Sequence, residues 1–250
     1  YYHYETQPMP NPLSWYFHQF PLWIHRLGVL FSHFVQVIMP VGVFFPQPIA
    51  MIAGTFIIFH QLLLIVSGNY SWLNWLTIVI AFSTFSDMYI GSLIGKSSPL
   101  LTPRPVWHET LLYALLGITL LLSIQPALNL VSKRQLMNFS FNRFHIVNAY
   151  GAFGSMTKQR YEIVVEGTEE TTLTDNTKWH EYEFKGKPGD LSRTPRQFAT
   201  YHLRLDWLMW FLPFSVHVTP EKVQVSRYDR WFIQFIKKLL EGDSQTLALL

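Results

Sequence analysis

The sequence contains no cysteine, which removes disulfides, thiol nucleophiles, zinc-thiolate sites and iron-sulfur ligation together. Charge is scarce as well: Asp, Glu, Lys and Arg make up 14% of the 250 residues, against roughly 25% in an ordinary soluble domain. The shortage is uneven. Residues 1–140 hold five Lys or Arg and three Asp or Glu, whereas residues 141–250 hold fourteen and thirteen. Between Arg26 and Asp87 sixty consecutive residues carry no charged side chain. No water-facing surface can be built from such a stretch, so the first half reads as membrane-embedded and the second as a solvated domain. Long basic runs are missing too; the net charge of +3 comes from Lys and Arg interspersed with acids, which argues against a nucleic-acid partner. The opening YYHYETQPMPNPLSWY lacks an initiator Met and the basic-then-apolar pattern of a signal peptide, a start expected of a piece cut from a longer chain.

What is present divides the chain into a polar and aromatic pre-membrane segment (1–22), a transmembrane helical region (23–128), a linker (129–140) and a C-terminal extramembrane domain (141–250). Four apolar segments predict spans over Val29–Phe45, Ile49–Val66, Trp72–Ile90 and Thr110–Ile124, the last extending toward 106–128 to reach the roughly 20 residues a bilayer requires. Connectors of three and five residues between the first three make them antiparallel neighbours. Pro40 is expected to tilt or kink the first span. His33 and Gln36, His60 and Gln61, and Asn74 and Asp87 are polar groups inside or at the ends of spans, where each must pair or face protein. Lys and Arg are nearly balanced between the two sides, so charge bias leaves the orientation open.

The C-terminal half alternates. RYEIVVE (160–166) puts Tyr161, Ile163 and Val165 on one face, and KWHEYEF (178–184) sets His180, Tyr182 and Phe184 against Trp179, Glu181 and Glu183, a hairpin pattern with a long polar loop. A third strand is expected over FATYHLRL (198–205). LDWLMWFLPF (205–214) is apolar enough to seal the sheet or lie on the bilayer with Trp207, Trp210 and Phe211. RYDRWFIQFIKKLLEGD (227–243) reads as an amphipathic helix with Trp231, Phe235 and Leu239 beside Phe232, Ile236 and Leu240, opened by Asp229 and ended by Gly242. The fold class is therefore a polytopic α-helical membrane region of about four spans followed by a small, β-rich α+β soluble domain. Asn138-Phe139-Ser140 is a glycosylation sequon if the tail is lumenal; Asn69-Tyr70-Ser71 also matches but lies in a tight connector.

No catalytic, cofactor-binding or metal-binding motif emerges. Gly151 and Gly154 in NAYGAFGS precede a strand and lack the context of a phosphate loop; KPGD (187–190) is a turn by composition. The strings HYETQPMPNPLSWY (3–16), SGNYSWLNWLTIV (67–79), FNRFHIVNAYGAFGSMTKQRYEIVVEG (141–167), WHEYEFKGKPGDLSRTP (179–195) and YHLRLDWLMWF (201–211) closely resemble, in order, segments of the lipase maturation factor family. That resemblance implies a multi-pass endoplasmic-reticulum membrane protein with a lumenal C-terminal domain, assisting the folding and assembly of secreted proteins, lipases by resemblance. The family has bacterial relatives, for which the membrane would be the plasma membrane. It also implies that upstream spans are missing here, and it points to a client-binding face at Asn148, Tyr150, Gly151, Phe153 and Gly154, with Lys185, Pro188, Gly189 and Asp190 nearby in sequence. The partners implied are the lipid bilayer and client secretory proteins; no cofactor is implied.

Three readings follow. The first is a non-enzymatic maturation factor acting by client binding. The second is an intramembrane enzyme or carrier using His33, His60 and Asn74 with missing upstream helices. The third is a membrane-anchored carbohydrate- or lipid-binding module with Trp179, Tyr182 and Tyr201 on an open face.

Overall fold

The computed structural model describes residues 2–97, 103–150, 161–198, 200–218, 223–225 and 229–250. Two compact units emerge: Tyr1–Ile90 with Lys158–Leu250, and Gly91–Thr157. The first unit begins with two short helices, α1 (Tyr2–Glu5) and α2 (Ser14–His18). Helix α3 (Leu22–His33) then continues through a π-helical turn at Phe34–Ile38 into α4 (Met39–Gly42), so the first span runs over Leu22–Gly42. The π-helical turn lies just before Pro40, the residue expected to tilt or kink this span. Pro40 has no N–H for the carbonyl four residues upstream, and its ring needs room there, which an expanded turn supplies.

Helix α5 (Ile49–Ser67) is the second span. Its buried Ala50, Ala53 and Gly54 let neighbours approach closely. A Cβ on Gly54 would sit 1.9 Å from Thr84 Oγ1 and 3.1 Å from Ala81 O. Helix α6 (Leu73–Ala81) tightens into a 3-10 turn at Phe82–Thr84, and α7 (Asp87–Ile94) leaves it at 99°. The single helix expected over 72–90 is thus broken, for a local reason. Ser83 and Thr84 hydroxyls donate back to Ile80 O (2.7 Å) and Ala81 O (2.8 Å), Gln47 Nε2 donates to Thr84 O (2.6 Å), and Asp87 opens a new helix.

The rest of the first unit packs around Val165, Phe184, Met209, Leu212, Phe235 and Leu239. Ile163 and Val165 face this core, as do Tyr182 and Phe184, in the alternation read from sequence, whereas Tyr161 and His180 of the same two patterns are exposed. The ladder it supports is short. Strand β3 (Glu166–Gly167) pairs antiparallel with β4 (His180–Glu181), and Tyr182 N donates to Val165 O at 2.8 Å. The strand expected over 198–205 is not formed among the described residues. Arg204 instead starts α9 (Arg204–Phe211). Leu205, Met209 and Leu212, spaced four and three apart, turn one face of that helix into the core. Strands β5 (Val216–Val218) and β6 (Val223–Val225) pair antiparallel. Helix α10 (Arg230–Leu240) buries Phe235 and Leu239 while Leu240 is exposed; Gly242, at φ +66°, stops it before α11 (Ser244–Leu247).

The second unit contains α8 (Val106–Leu130), long and apolar enough to cross a membrane, with Pro126 inside it. It also holds a minimal antiparallel pair, β1 (Phe139–Ser140) and β2 (Asn148–Ala149). Three helices qualify as spans by length and composition, and the bent α6–α7 pair would make a fourth.

Candidate functional site

A helix ends with carbonyls that have no intrahelical partner, and polar side chains must take them. At the end of α5 the pre-membrane segment does so. Asn11 Nδ2 donates to Ile65 O (3.2 Å) and Val66 O (3.1 Å), while Gln7 Nε2 and Ser14 Oγ both reach Ser67 O at 2.9 Å. Asn11 Oδ1 accepts from Leu13 N and Ser14 N, which starts α2. Residues 2–18 are thereby fastened across the end of a membrane span.

Asn69, in the connector that follows, extends this ledge into the C-terminal domain. Its side chain donates to Pro10 O (3.0 Å) and Arg196 O (3.1 Å) and accepts from Phe198 N (3.1 Å). Its own carbonyl accepts from His202 Nε2 at 2.7 Å. One side chain, 7% exposed, joins three chain segments. Such an asparagine is a poor glycan acceptor for a physical reason: its amide is already occupied.

Above the ledge, the loop from Lys185 to Arg193 forms the other wall of a cleft of about 370 Å³. Asp206, 1% exposed on the first turn of α9, accepts from Gly186 N (2.6 Å) and Lys187 N (3.0 Å). Gly186 is tightly packed: a Cβ there would meet Met9 Cε at 2.8 Å and Phe198 Cε2 at 3.0 Å. Lys187 is buried and pairs with Glu162 at 2.8 Å. Arg193 donates to Phe184 O (2.5 Å) and lies 3.4 Å from Glu183. Lys185 donates to Ala248 O. Asp190 closes its turn by accepting from Ser192 Oγ (2.7 Å) and N (2.8 Å), and these bonds hold its carboxyl below the usual carboxylate range. The cations around the cleft are thus committed to the protein itself. Tyr4, Pro10, Trp15, Pro188 and Pro195 remain as its walls, and Leu191 stands fully exposed at the rim.

Of the residues singled out from sequence, Lys185, Pro188, Gly189 and Asp190 line this cleft. Asn148 and Tyr150 lie in the second unit: Asn148 on β2 donates to His145 O (2.9 Å), and Tyr150 is exposed. Gly151, Phe153 and Gly154, and with them the backbone conformation expected of the two glycines, lie outside the described residues. Asn138 is exposed at φ +54°, directly before β1. Asn11, Asn69, Gly186 and Asp206 were not singled out as site residues, although all four fall inside the strings that carried the family resemblance.

Within the membrane region Asn74 Nδ2 donates to Gln61 Oε1 at 2.7 Å, and Gln36 Nε2 donates to Ser32 Oγ at 3.1 Å. His60 is 4% exposed against Phe31, and its Nδ1 has no hydrogen-bond partner among the described residues. His33 lines an open groove that neither His60 nor Asn74 lines, and Asp87 starts α7 at the helix break. Tyr182 packs at the edge of the core while Trp179 and Tyr201 are exposed, so the three do not form one aromatic face. Among the described residues no group of three or more His, Cys, Asp or Glu is placed to hold a metal ion.

His202 gives the ledge a pH dependence. It stacks on Trp207 (centroids 4.5 Å) and donates to Asn69 O, and burial pulls its pKa below the usual 6.5, against a smaller opposing effect of that bond. A folded-state pKa below the unfolded one means that the neutral form carries the stability. Stability is full above about pH 6.5 and falls as acidification proceeds toward the folded value. Melting temperatures between pH 7.5 and 5 are expected to fall, and His202→Gln, which keeps a donor but no titration, is expected to flatten that slope.

Two descriptions of one family match the chain: "Lipase maturation factor transmembrane domain" over residues 1–92 and "Lipase maturation factor C-terminal domain" over residues 146–250. Lipase maturation factor 1 of Homo sapiens is 41% identical over the whole chain and that of Mus musculus 40%. Lipase maturation factor 2 of Gallus gallus is 25% identical over 99% of it. The chain spans about half the length of these curated relatives: 46%, 46% and 47%. No solved structure matches it.

Proposed function

The chain belongs to the lipase maturation factor family, and from that premise we propose that it is a membrane-bound maturation factor that holds secretory clients, lipases among them, by non-catalytic binding in the cleft beneath the Lys185–Arg193 loop. The observation that carries this reading is the cleft's division of labour. Its charged groups are spent on the protein's own backbone and side chains, which leaves aromatic, proline and leucine surface for a ligand. Such a surface suits an exposed apolar segment of an unassembled chain, which water excludes and which needs no particular sequence.

The protein sits in the endoplasmic-reticulum membrane with the cleft lumenal, where secretory chains are met. Chain path supports one side for the whole ledge. The pre-membrane segment, the 68–72 connector and residues 196–202 are bonded together, so the chain between 72 and 196 crosses the bilayer an even number of times. With helix α8 as one crossing, the bent α6–α7 pair would be the other.

The test is crosslinking of newly made secretory lipase to the protein in sealed microsomes. Leu191→Asp and Trp15→Ala are expected to lower capture at least tenfold, because a truncated aromatic anchor loses about 2 kcal/mol and each 1.4 kcal/mol is a factor of ten. Leu191 is fully exposed, so its variant should melt like the wild type. Capture that is absent in the wild type sinks the reading. Capture lost only in Tyr150→Ala moves the client face to the second unit.

A further inference from the structure

The chain carries two Asn-x-Ser/Thr sequons, Asn69-Tyr70-Ser71 and Asn138-Phe139-Ser140, and their acceptor amides sit in opposite surroundings. Glycan transfer replaces one hydrogen of the amide nitrogen with a sugar, so the nitrogen needs a hydrogen to give and space for a bulky, hydrated group. Asn69 offers neither. Its Nδ2 donates to both Pro10 O (3.0 Å) and Arg196 O (3.1 Å), and the residue is 7% exposed. A sugar there would take one of those bonds and force apart the segments they join.

Asn138 stands at the turn into β1. It is exposed, as are Met137 and Phe139 on either side of it. Its φ of +54° is a left-handed conformation that Asn adopts more readily than most side chains. The motif's hydroxyl, Ser140 Oγ, donates to Asn142 O at 2.8 Å, a bond only two residues long and easily opened. Between α8 and Arg196 the longest stretch without a charged side chain, 144–157, falls short of the roughly 20 residues that cross a bilayer. Asn138 is therefore on the side of the membrane to which residue 196 belongs. It follows Leu130, the last residue of α8, by eight positions. At about 3.3 Å per extended residue, a newly made chain can carry it about 26 Å beyond the helix end.

We propose that Asn138 carries an N-linked oligosaccharide and that Asn69 stays bare. The inference rests on the lumenal reading of the cleft given above. In the transfer, Asn138 Nδ2 bonds to the anomeric carbon of an oligosaccharide held on a polyprenyl diphosphate. The bond from that carbon to the diphosphate oxygen breaks, the lipid diphosphate leaves with the electron pair, and the amide loses one proton; nothing is oxidised or reduced. The second unit gains a surface sugar, and Asn69 keeps its amide for the backbone groups it joins.

The test is translation with endoplasmic-reticulum microsomes, comparing electrophoretic mobility before and after endoglycosidase. One glycan step is expected in the wild type and in Ser71→Ala. It is expected to be lost in Asn138→Asp, whose side chain also tolerates positive φ, and in Ser140→Ala, but kept in Ser140→Thr, which retains the hydroxyl. A further variant reports the side of the membrane by itself. Lys178→Ser completes a sequon at Asn176, exposed in the polar loop 168–178, and adds a second step when that loop is lumenal. No step in the wild type beside one step in Lys178→Ser would overturn the glycan and leave the lumenal reading standing. No step in either protein would overturn both. A step lost in Ser71→Ala and kept in Asn138→Asp would place the sugar on Asn69 and overturn the assignment.

Discussion

Asn69→Ala is expected to release the C-terminal domain from the end of the membrane spans. The substitution removes two donated bonds, to Pro10 O and Arg196 O, and the acceptor for Phe198 N. Hydrogen bonds contribute about 1 kcal/mol each, and a buried group left unsatisfied costs about 1–3 kcal/mol. Three at one buried position therefore amount to roughly 3–5 kcal/mol, a large share of the marginal stability of a domain. Hydrogen exchange at the Phe198 amide should rise by orders of magnitude, and protease should cut within 194–203. Asn69→Asp is expected to be no milder, because a carboxylate would face two carbonyl oxygens. Ser71→Ala separates this effect from any glycan at Asn69. It abolishes the sequon while removing only a 3.5 Å contact to Thr200 O, so it should behave as wild type. Equal exchange at Phe198 in Asn69→Ala and wild type would show that the ledge does not depend on this residue.

Much of this architecture is legible in the sequence because it rests on two strong signals, absence of charge and periodicity. The sixty uncharged residues locate the membrane region, and the alternation of Ile163 and Val165 with Tyr182 and Phe184 locates the inward faces of a hairpin whose ladder is only two residues long. The break at 85–86 is written locally in Ser83, Thr84, Ser86 and Asp87, yet apolar residues on both sides conceal it from a hydropathy reading. The strand expected over 198–205 illustrates another limit. The pattern of 203–212 serves a helix as well as a strand, and contact of Leu205, Met209 and Leu212 with α10 decides for the helix. The hub residues were hidden for a different reason. Asn11 Nδ2, the Asn69 side chain and Asp206 bond to backbone groups 54–55, 59–129 and 19–20 residues away, and no local spacing rule records a partner that is a distant main-chain carbonyl or amide.

The loop wall of the cleft should collapse in Asp206→Ala. The carboxylate accepts from two successive buried amides, at 2.6 Å from Gly186 N and 3.0 Å from Lys187 N; removing it strands both N–H groups, at about 1–3 kcal/mol each. Backbone held this way cannot be replaced by packing, because Gly186 has no side chain and is pressed against Met9 and Phe198. Asp206→Asn keeps an acceptor oxygen without its charge, and charged acceptors bond about twice as strongly as neutral ones, so roughly half of the loss is expected. Gly186→Ala attacks the same contact from the opposite side, through a Cβ 2.8 Å from Met9 Cε. Once either change has freed the loop, the other has little left to disrupt. The double variant should therefore fall short of the sum of the singles by 1 kcal/mol or more, the signature of two residues acting on one element. Denaturant unfolding of the four proteins in detergent gives the cycle, and exchange at the Lys187 amide identifies the element. Additive losses, or a Lys187 amide as protected in Asp206→Ala as in the wild type, would mean that the loop is held by something other than this carboxylate.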